Sequence, residues 1–212
     1  MRIVRCDSSN GMNAHCVDAV LNAAEDISEG KLIVYPTDTV YGIGADIYNQ
    51  VAVKNLFITK NRPFDMALSV AACDMAMIEK LAHVDDNAEK LIKAFLPGPL
   101  TLIMPKQPDV PDLLTAMSQK VGIRIPDHPI ALEIVKKAGP IVATSANLHS
   151  KPDATTVAEA MEDFGDSIST YIDAGRSASG KPSTIVWFDN GEIEIVRQGQ
   201  ITIDQIEEVL RC

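Results

Sequence analysis

The segment FITKNRPFDMAL, residues 57–68, sets Lys60 and Arg62 two positions apart, just ahead of Pro63, in a chain with formal net charge −10. In extended backbone, residues two apart share a face. One ammonium and one planar guanidinium can then converge on a single polyanion. Elsewhere, apolar runs end in small polar or cationic groups: Thr37 and Thr39, Arg124, Ser145 with Asn147, Ser183, and Arg197 farther on. Cations mixed with hydroxyls and amides suit an anionic, hydroxyl-bearing ligand, such as a nucleotide together with a small acid. They suit covalent catalysis poorly. A serine nucleophile wants a histidine base and an orienting carboxylate, and His15, His83, His128 and His149 all lie outside such a pattern. A G-x-x-x-x-G-K-[ST] loop is absent, and YGIGAD holds only two glycines of a G-x-G-x-x-G. Side chains must therefore hold any phosphate.

Each candidate also has an ordinary structural reading. Lys60 and Arg62 suit a solvated helix end. Thr37 and Thr39 suit a turn, and Ser145 with Asn147 suit a strand end. Arg124, between Ile123 and Ile125, suits the exposed alternate of a strand. Ser183 follows Pro182 as a turn residue would, Arg197 can be a lone surface cation, and Thr155 and Thr156 can cap the next helix. Tyr35, Tyr41 and Trp187 read as core aromatics, too few for a base-stacking platform.

The elements that must position these groups alternate in character. Helical spacing marks His15–Gly30, the stretch VAVKNLFITK, residues 75–84 and 85–96, PIALEIVKKAG, VAEAMEDFG and the tail TIDQIEEVLR. Strand character marks KLIVYPTDTVYGIGAD, MALSVAA, PGPLTLIMPK, KVGIRIPDHP, PIVATSAN, STYIDAG, STIVWFD and EIEIVRQG. LLTAMSQ fits neither pattern, and Pro63 makes Arg62 extended. The alternation predicts an α/β fold, one domain spanning residues 1–212 with a twisted mixed sheet. A chain of 212 residues with 46% hydrophobic residues buries roughly 70% of its unfolded surface around one core.

Nineteen Lys and Arg against 29 Asp and Glu oppose any broad basic face for wrapping nucleic acid. Cys6, Cys16, Cys73 and Cys212 fall far apart with no C-x-x-C pair, so free thiols in a reducing compartment are expected. No apolar signal core opens the chain and no run of 18 apolar residues interrupts it. A cytoplasmic protein without a membrane partner is the expectation.

Six ordered segments, YPTDTVYGIGAD, KNRP, FLPGPLTLIM, VGIRIPDHP, VATSAN and KPSTIV followed by RQG, resemble the threonylcarbamoyl-adenylate synthases of the YrdC-like family over about positions 15–205. The resemblance implies a twisted α/β sheet around a large open cavity, in the short form with one YrdC-like catalytic domain. It also implies adenylyl transfer: L-threonine, bicarbonate or CO2, and ATP condense to threonylcarbamoyl-AMP and pyrophosphate. A separate transferase then passes the threonylcarbamoyl group to tRNA, at the adenosine beside the anticodon. Carried over by motif position, Lys60, Arg62, Asn147, Thr155 and Arg197 face ATP. Thr39, Arg124, Ser145 and Ser183 face L-threonine, with Arg124 on its carboxylate. Mg²⁺ is expected with ATP; no metal ligand is assigned, Asp38 being a remote candidate. Weak or no direct tRNA binding follows from the acidic charge. The chain departs from the family pattern at Met66, where Asn is common, at Ala67, where Pro is common, and in LHSKP after SAN. A related carbamoyl transfer, which would need carbamoyl phosphate in place of threonine, is the alternative chemistry.

Overall fold

A computed structural model describes residues 1–6, 12–189 and 192–211; Cys212 lies outside these. Chain order is β1 (Arg2–Arg5), α1 (Ala14–Ser28), β2 (Ile33–Tyr35), β3 (Gly42–Gly44), α2 (Gln50–Thr59), β4 (Ser69–Ala71), α3 (Met75–Leu81), α4 (Asp86–Phe95), β5 (Leu100–Pro105) and β6 (Lys120–Arg124). There follow α5 (Pro129–Ala138), β7 (Ile141–Ser145), α6 (Val157–Phe164), β8 (Thr170–Asp173), β9 (Thr184–Asp189), β10 (Glu192–Arg197) and α7 (Ile203–Arg211).

The helices form where the apolar spacing places them, and short polar residues start them. Asn13 accepts from the Cys16 amide ahead of α1, while Asp85 accepts from the Ala88 amide ahead of α4. Thr156 and Glu159 form a reciprocal capping box for α6, satisfying two backbone donors that the first turn leaves open. Thr156, not Thr155, is the cap.

The strands form one mixed sheet in the order β1-β8-β2-β3-β7-β4-β6-β5-β9-β10. Successive side chains point to opposite faces, and the two faces are covered unequally. Val34, Ile43, Val70, Ile123 and Val142 enter the larger core, with Leu56, Ile78, Leu91, Ala160 and Ile206 from α2, α3, α4, α6 and α7. Ile33, Tyr35, Ala71, Ile141 and Ile172 face the other way, against α1 and α5. Each fully buried Ile or Val contributes about 1.5–3 kcal/mol, so the core fixes the sheet that carries the polar side chains. Beyond α1 and α5, the second face opens into a cavity.

Two elements differ from the sequence-based expectation. β1, with the sequence RIVR, forms an edge strand parallel to β8; four residues with charges at both ends carry too little pattern to mark a strand. LLTAMSQ becomes a series of turns, with Ala116 and Met117 at positive φ and Leu114 buried.

Candidate active site

The cavity, about 180 Å³, is lined from β2 and β3 through β7, β4, β6 and β5 to β9 and β10. At its inner end Arg124, on β6, donates from Nη1 to Thr39 Oγ1 at 2.8 Å. Its Nη2 donates to Asp38 Oδ1 at 2.7 Å and to the Gly98 carbonyl at 3.2 Å. The Thr37 hydroxyl donates to the Val40 carbonyl at 2.6 Å and lies 2.9 Å from Thr39 Oγ1, so the PTDTV bend is knotted onto itself. Asp38 also accepts from the Asp127 amide. Burial pulls the Arg124 pKa down, and the Asp38 carboxylate opposes this. Arg124 Nε, though buried, has no partner.

At the outer end Arg62 donates to the carbonyls of Met66, at 3.2 Å, and Ala67, at 2.8 Å. Arg197 reaches the Ser183 carbonyl from Nε and Nη2 at 3.1 and 3.0 Å, and the Ser183 hydroxyl at 3.1 Å. Ser183 Oγ in turn lies 2.8 Å from Thr101 Oγ1. Burial lowers the pKa of both guanidiniums; Arg62 is further lowered by the charge of Arg197, and Arg197 by that of Arg124. Mutual repulsion between arginines on one cavity is the electrostatic mark of a site awaiting an anion.

Arg62, Arg197, Arg124, Thr39, Ser145 and Ser183 therefore meet around one cavity. Lys60, Asn147 and Thr155 do not line it. The expected convergence of Lys60 with Arg62 is corrected. Lys60 is the helical cap residue of α2 at φ −80°, and Asn61 takes a positive φ of 50°. The two-residue repeat of a strand fails there, so Lys60 turns inward, only 2% exposed. Its Nζ donates to the carbonyls of Ser145, at 2.5 Å, and Asn147, at 2.6 Å. Burial, then the charge of Arg62, pushes its pKa down to about 7, with Asp153 and Asp163 acting the other way.

Asn147 accepts from the Ser145 hydroxyl and donates to the carbonyls of Leu148 and Lys151. Thr155 donates to Glu159 and accepts from Arg176. Both groups brace the loop after β7, and in this arrangement neither faces the cavity. The expected carboxylate role of Arg124 is narrowed as well: its terminal nitrogens already hold Asp38, Thr39 and Gly98, leaving Nε rather than an open fork. Asp38 Oδ1 is engaged in this pair and by the Asp127 amide. Among the described residues, no group of three or more His, Cys, Asp or Glu is placed to hold a metal ion.

Sequence reasoning missed two contributors. Tyr35 lines the cavity instead of serving only the core; the neighbouring glycines of YGIG were the available signal. Asp153, whose charge is felt by Lys60 and Arg197, lies in a loop that no periodic pattern marks.

Fold and cavity together define an α/β protein that gathers arginines and hydroxyls around one cavity. A family model named for Sua5, YciO and YrdC, and described as telomere recombination, matches residues 25–199, and the chain belongs to that family. A Pyrococcus abyssi protein named threonylcarbamoyl-AMP synthase is 39% identical over 190 residues, 89% of this chain but 56% of its own length. A Klebsiella pneumoniae protein of the same name is 32% identical over 186 residues, 86% of this chain and 96% of its own. A crystal structure of P. abyssi Sua5 complexed with L-threonine superposes with a TM-score of 0.93 at 35% identity, covering 99% of this chain and 61% of that one. The chain thus spans little more than half the length of its P. abyssi relative and nearly all of the K. pneumoniae one.

Proposed function

We propose that this chain is a threonylcarbamoyl-AMP synthase, condensing L-threonine, bicarbonate and ATP to threonylcarbamoyl-AMP and pyrophosphate. The observation that carries the proposal is the gathering of Arg62, Arg124 and Arg197 on one cavity in a chain of net charge −10. Among the described ion pairs only Arg124, of these three, is matched by a carboxylate. Bicarbonate supplies CO2 with loss of hydroxide, and the amine of threonine captures it as a carbamate, the amine proton and the hydroxide leaving together as water. A carbamate oxygen then attacks the α-phosphorus in line with departing pyrophosphate. Negative charge accumulates through both steps, so fixed cations and positioning dominate catalysis. Arg62 and Arg197 neutralise phosphate oxygens at the outer end. Arg124 and Thr39 orient the amino acid at the inner end, and Ser183, held by Arg197, faces it from the outer end. Lys60 acts indirectly, fixing the backbone that presents Ser145.

Mg²⁺ bound with ATP would add to the neutralisation of phosphate oxygens that Arg62 and Arg197 provide. The adenylate passes to a separate threonylcarbamoyl transferase acting on tRNA, and direct tRNA binding here is weak. Among the described residues no helix is long and apolar enough to cross a membrane. Cys6 and Cys73 carry free thiols, which agree with a reducing compartment such as the cytoplasm.

The deciding experiment is pyrophosphate release from ATP, with threonine and bicarbonate omitted in turn. Release that depends on both supports the proposal; release indifferent to threonine refutes it, and activation by carbamoyl phosphate instead would assign carbamoyl transfer.

A further inference from the structure

The inner wall of the cavity holds a second unsatisfied donor besides Arg124 Nε. Tyr35, the last residue of β2, is 1% exposed. Its ring lies across β3, where a Cβ on Gly42 would come within 2.9 Å of its Cζ and 3.1 Å of its hydroxyl oxygen. Glycine at 42 is thus what gives the phenol its room. Ala71 and Ala143 complete the wall with small side chains, keeping space in front of it.

The Tyr35 hydroxyl hydrogen-bonds to no described residue. The Tyr35 side chain lines the cavity, so its hydroxyl is open to an acceptor that enters there. Burial raises the phenol pKa, opposed by the nearby charge of Arg124, so the group keeps its proton and acts as a donor. Arg124 Nε is likewise a buried donor without a partner, and both side chains line the same cavity. Two neighbouring donors with no acceptor among the described residues call for an acceptor that arrives with the ligand.

We infer that Tyr35 is a substrate-binding residue, its phenol O–H acting with Arg124 Nε–H to hold a carboxylate-type oxyanion against the inner wall. The chemistry is shared by the α-carboxylate of the amino acid and by bicarbonate or the carbamate made from it. Naming these sources rests on the proposed synthase activity; the oxyanion site itself rests on the two unpaired donors.

The test is Tyr35→Phe, which keeps the ring and removes only the donor. Calorimetric binding of L-threonine and of bicarbonate is measured for wild type and variant, beside KM values from pyrophosphate release. A donor lost from a charged acceptor should weaken one of the two ligands by about 10- to 100-fold. Weakened threonine identifies the α-carboxylate; weakened bicarbonate identifies the carbonate or carbamate. The melting temperature should not fall, because the hydroxyl has no protein partner to lose; a purely structural hydroxyl would lower it. Unchanged affinity for both ligands overturns the inference, as does a wild type that binds neither. A wild type that binds threonine yet releases no pyrophosphate would instead refute the proposed activity and leave the oxyanion site standing.

Discussion

Lys60 is 2% exposed and grips the carbonyls of Ser145 and Asn147, while Arg62, two residues on, borders the cavity. Both are cations from one short segment, yet they belong to two regions with opposite electrostatics. Lys60 Nζ meets two acceptors of the protein, and the ammonium works as a rivet through the loop after β7. At the cavity, among the described residues, Arg62 and Arg197 hydrogen-bond to carbonyls and one hydroxyl and to no carboxylate. Satisfied charge builds the site, and unsatisfied charge waits for the ligand.

The sharpest way to break this contrast is Lys60→Met. Two buried carbonyls would lose their donor, each at about 1–3 kcal/mol, so stability should fall by roughly 3 kcal/mol or more in urea unfolding, with activity falling alongside. A Lys60→Met protein of full stability but no activity would move Lys60 from the rivet to the ligand.

Arg62→Ala should show the reverse pattern. Charge-assisted contacts that strengthen in the transition state account for about 3 kcal/mol, on the order of a hundredfold in kcat, with the melting point nearly unchanged. Near-normal kcat in the folded variant would remove Arg62 from the phosphate site.

Asp38→Asn tests the inner end, where Arg124 does have a carboxylate. Taking away the counter-charge of a buried guanidinium should cost about 2 kcal/mol of stability. It should also raise KM for threonine, because Asp38 and Thr39 hold the guanidinium in place. A lower KM would show that Asp38 competes for Arg124 instead of orienting it.

The smallest effect is in pH dependence. Folded Lys60 sits at about 7 against an ordinary 10.5. Between these values the unfolded chain binds a proton that the folded chain has released, so the stability from this site rises with pH. The slope is at most one proton, about 1.4 kcal/mol per pH unit. Comparing wild type with Lys60→Met from pH 7 to 8 should show this extra slope in the wild type alone, about 1 kcal/mol over that unit; equal slopes would mean that the two carbonyls keep Lys60 charged.

Much of the fold was legible because burial leaves a periodic trace. The 3.6-residue spacing of Cys16, Ala19, Val20, Ala23 and Ile27 marks α1, and the all-apolar Ile33, Val34 and Tyr35 mark a strand buried on both faces. The site was legible in composition: arginines and hydroxyls at strand ends in an acidic chain named an anion, and six of the nine expected residues do border the cavity. What the sequence determined by itself was thus the alternation of helix and strand and the residue types that gather at the cavity, since both depend on local periodicity and residue chemistry. Which cation faces the cavity was decided only by the tertiary structure. The His149 amide, from the loop after β7, donates to the Lys60 carbonyl at 2.7 Å, and Asn61 turns through a positive φ. That long-range pairing directs Lys60 into the interior and leaves Arg62 at the cavity. Likewise, only the pairing of β2 with β3 lays Tyr35 over Gly42, because a cross-strand neighbour is fixed by register, which no short stretch of sequence contains.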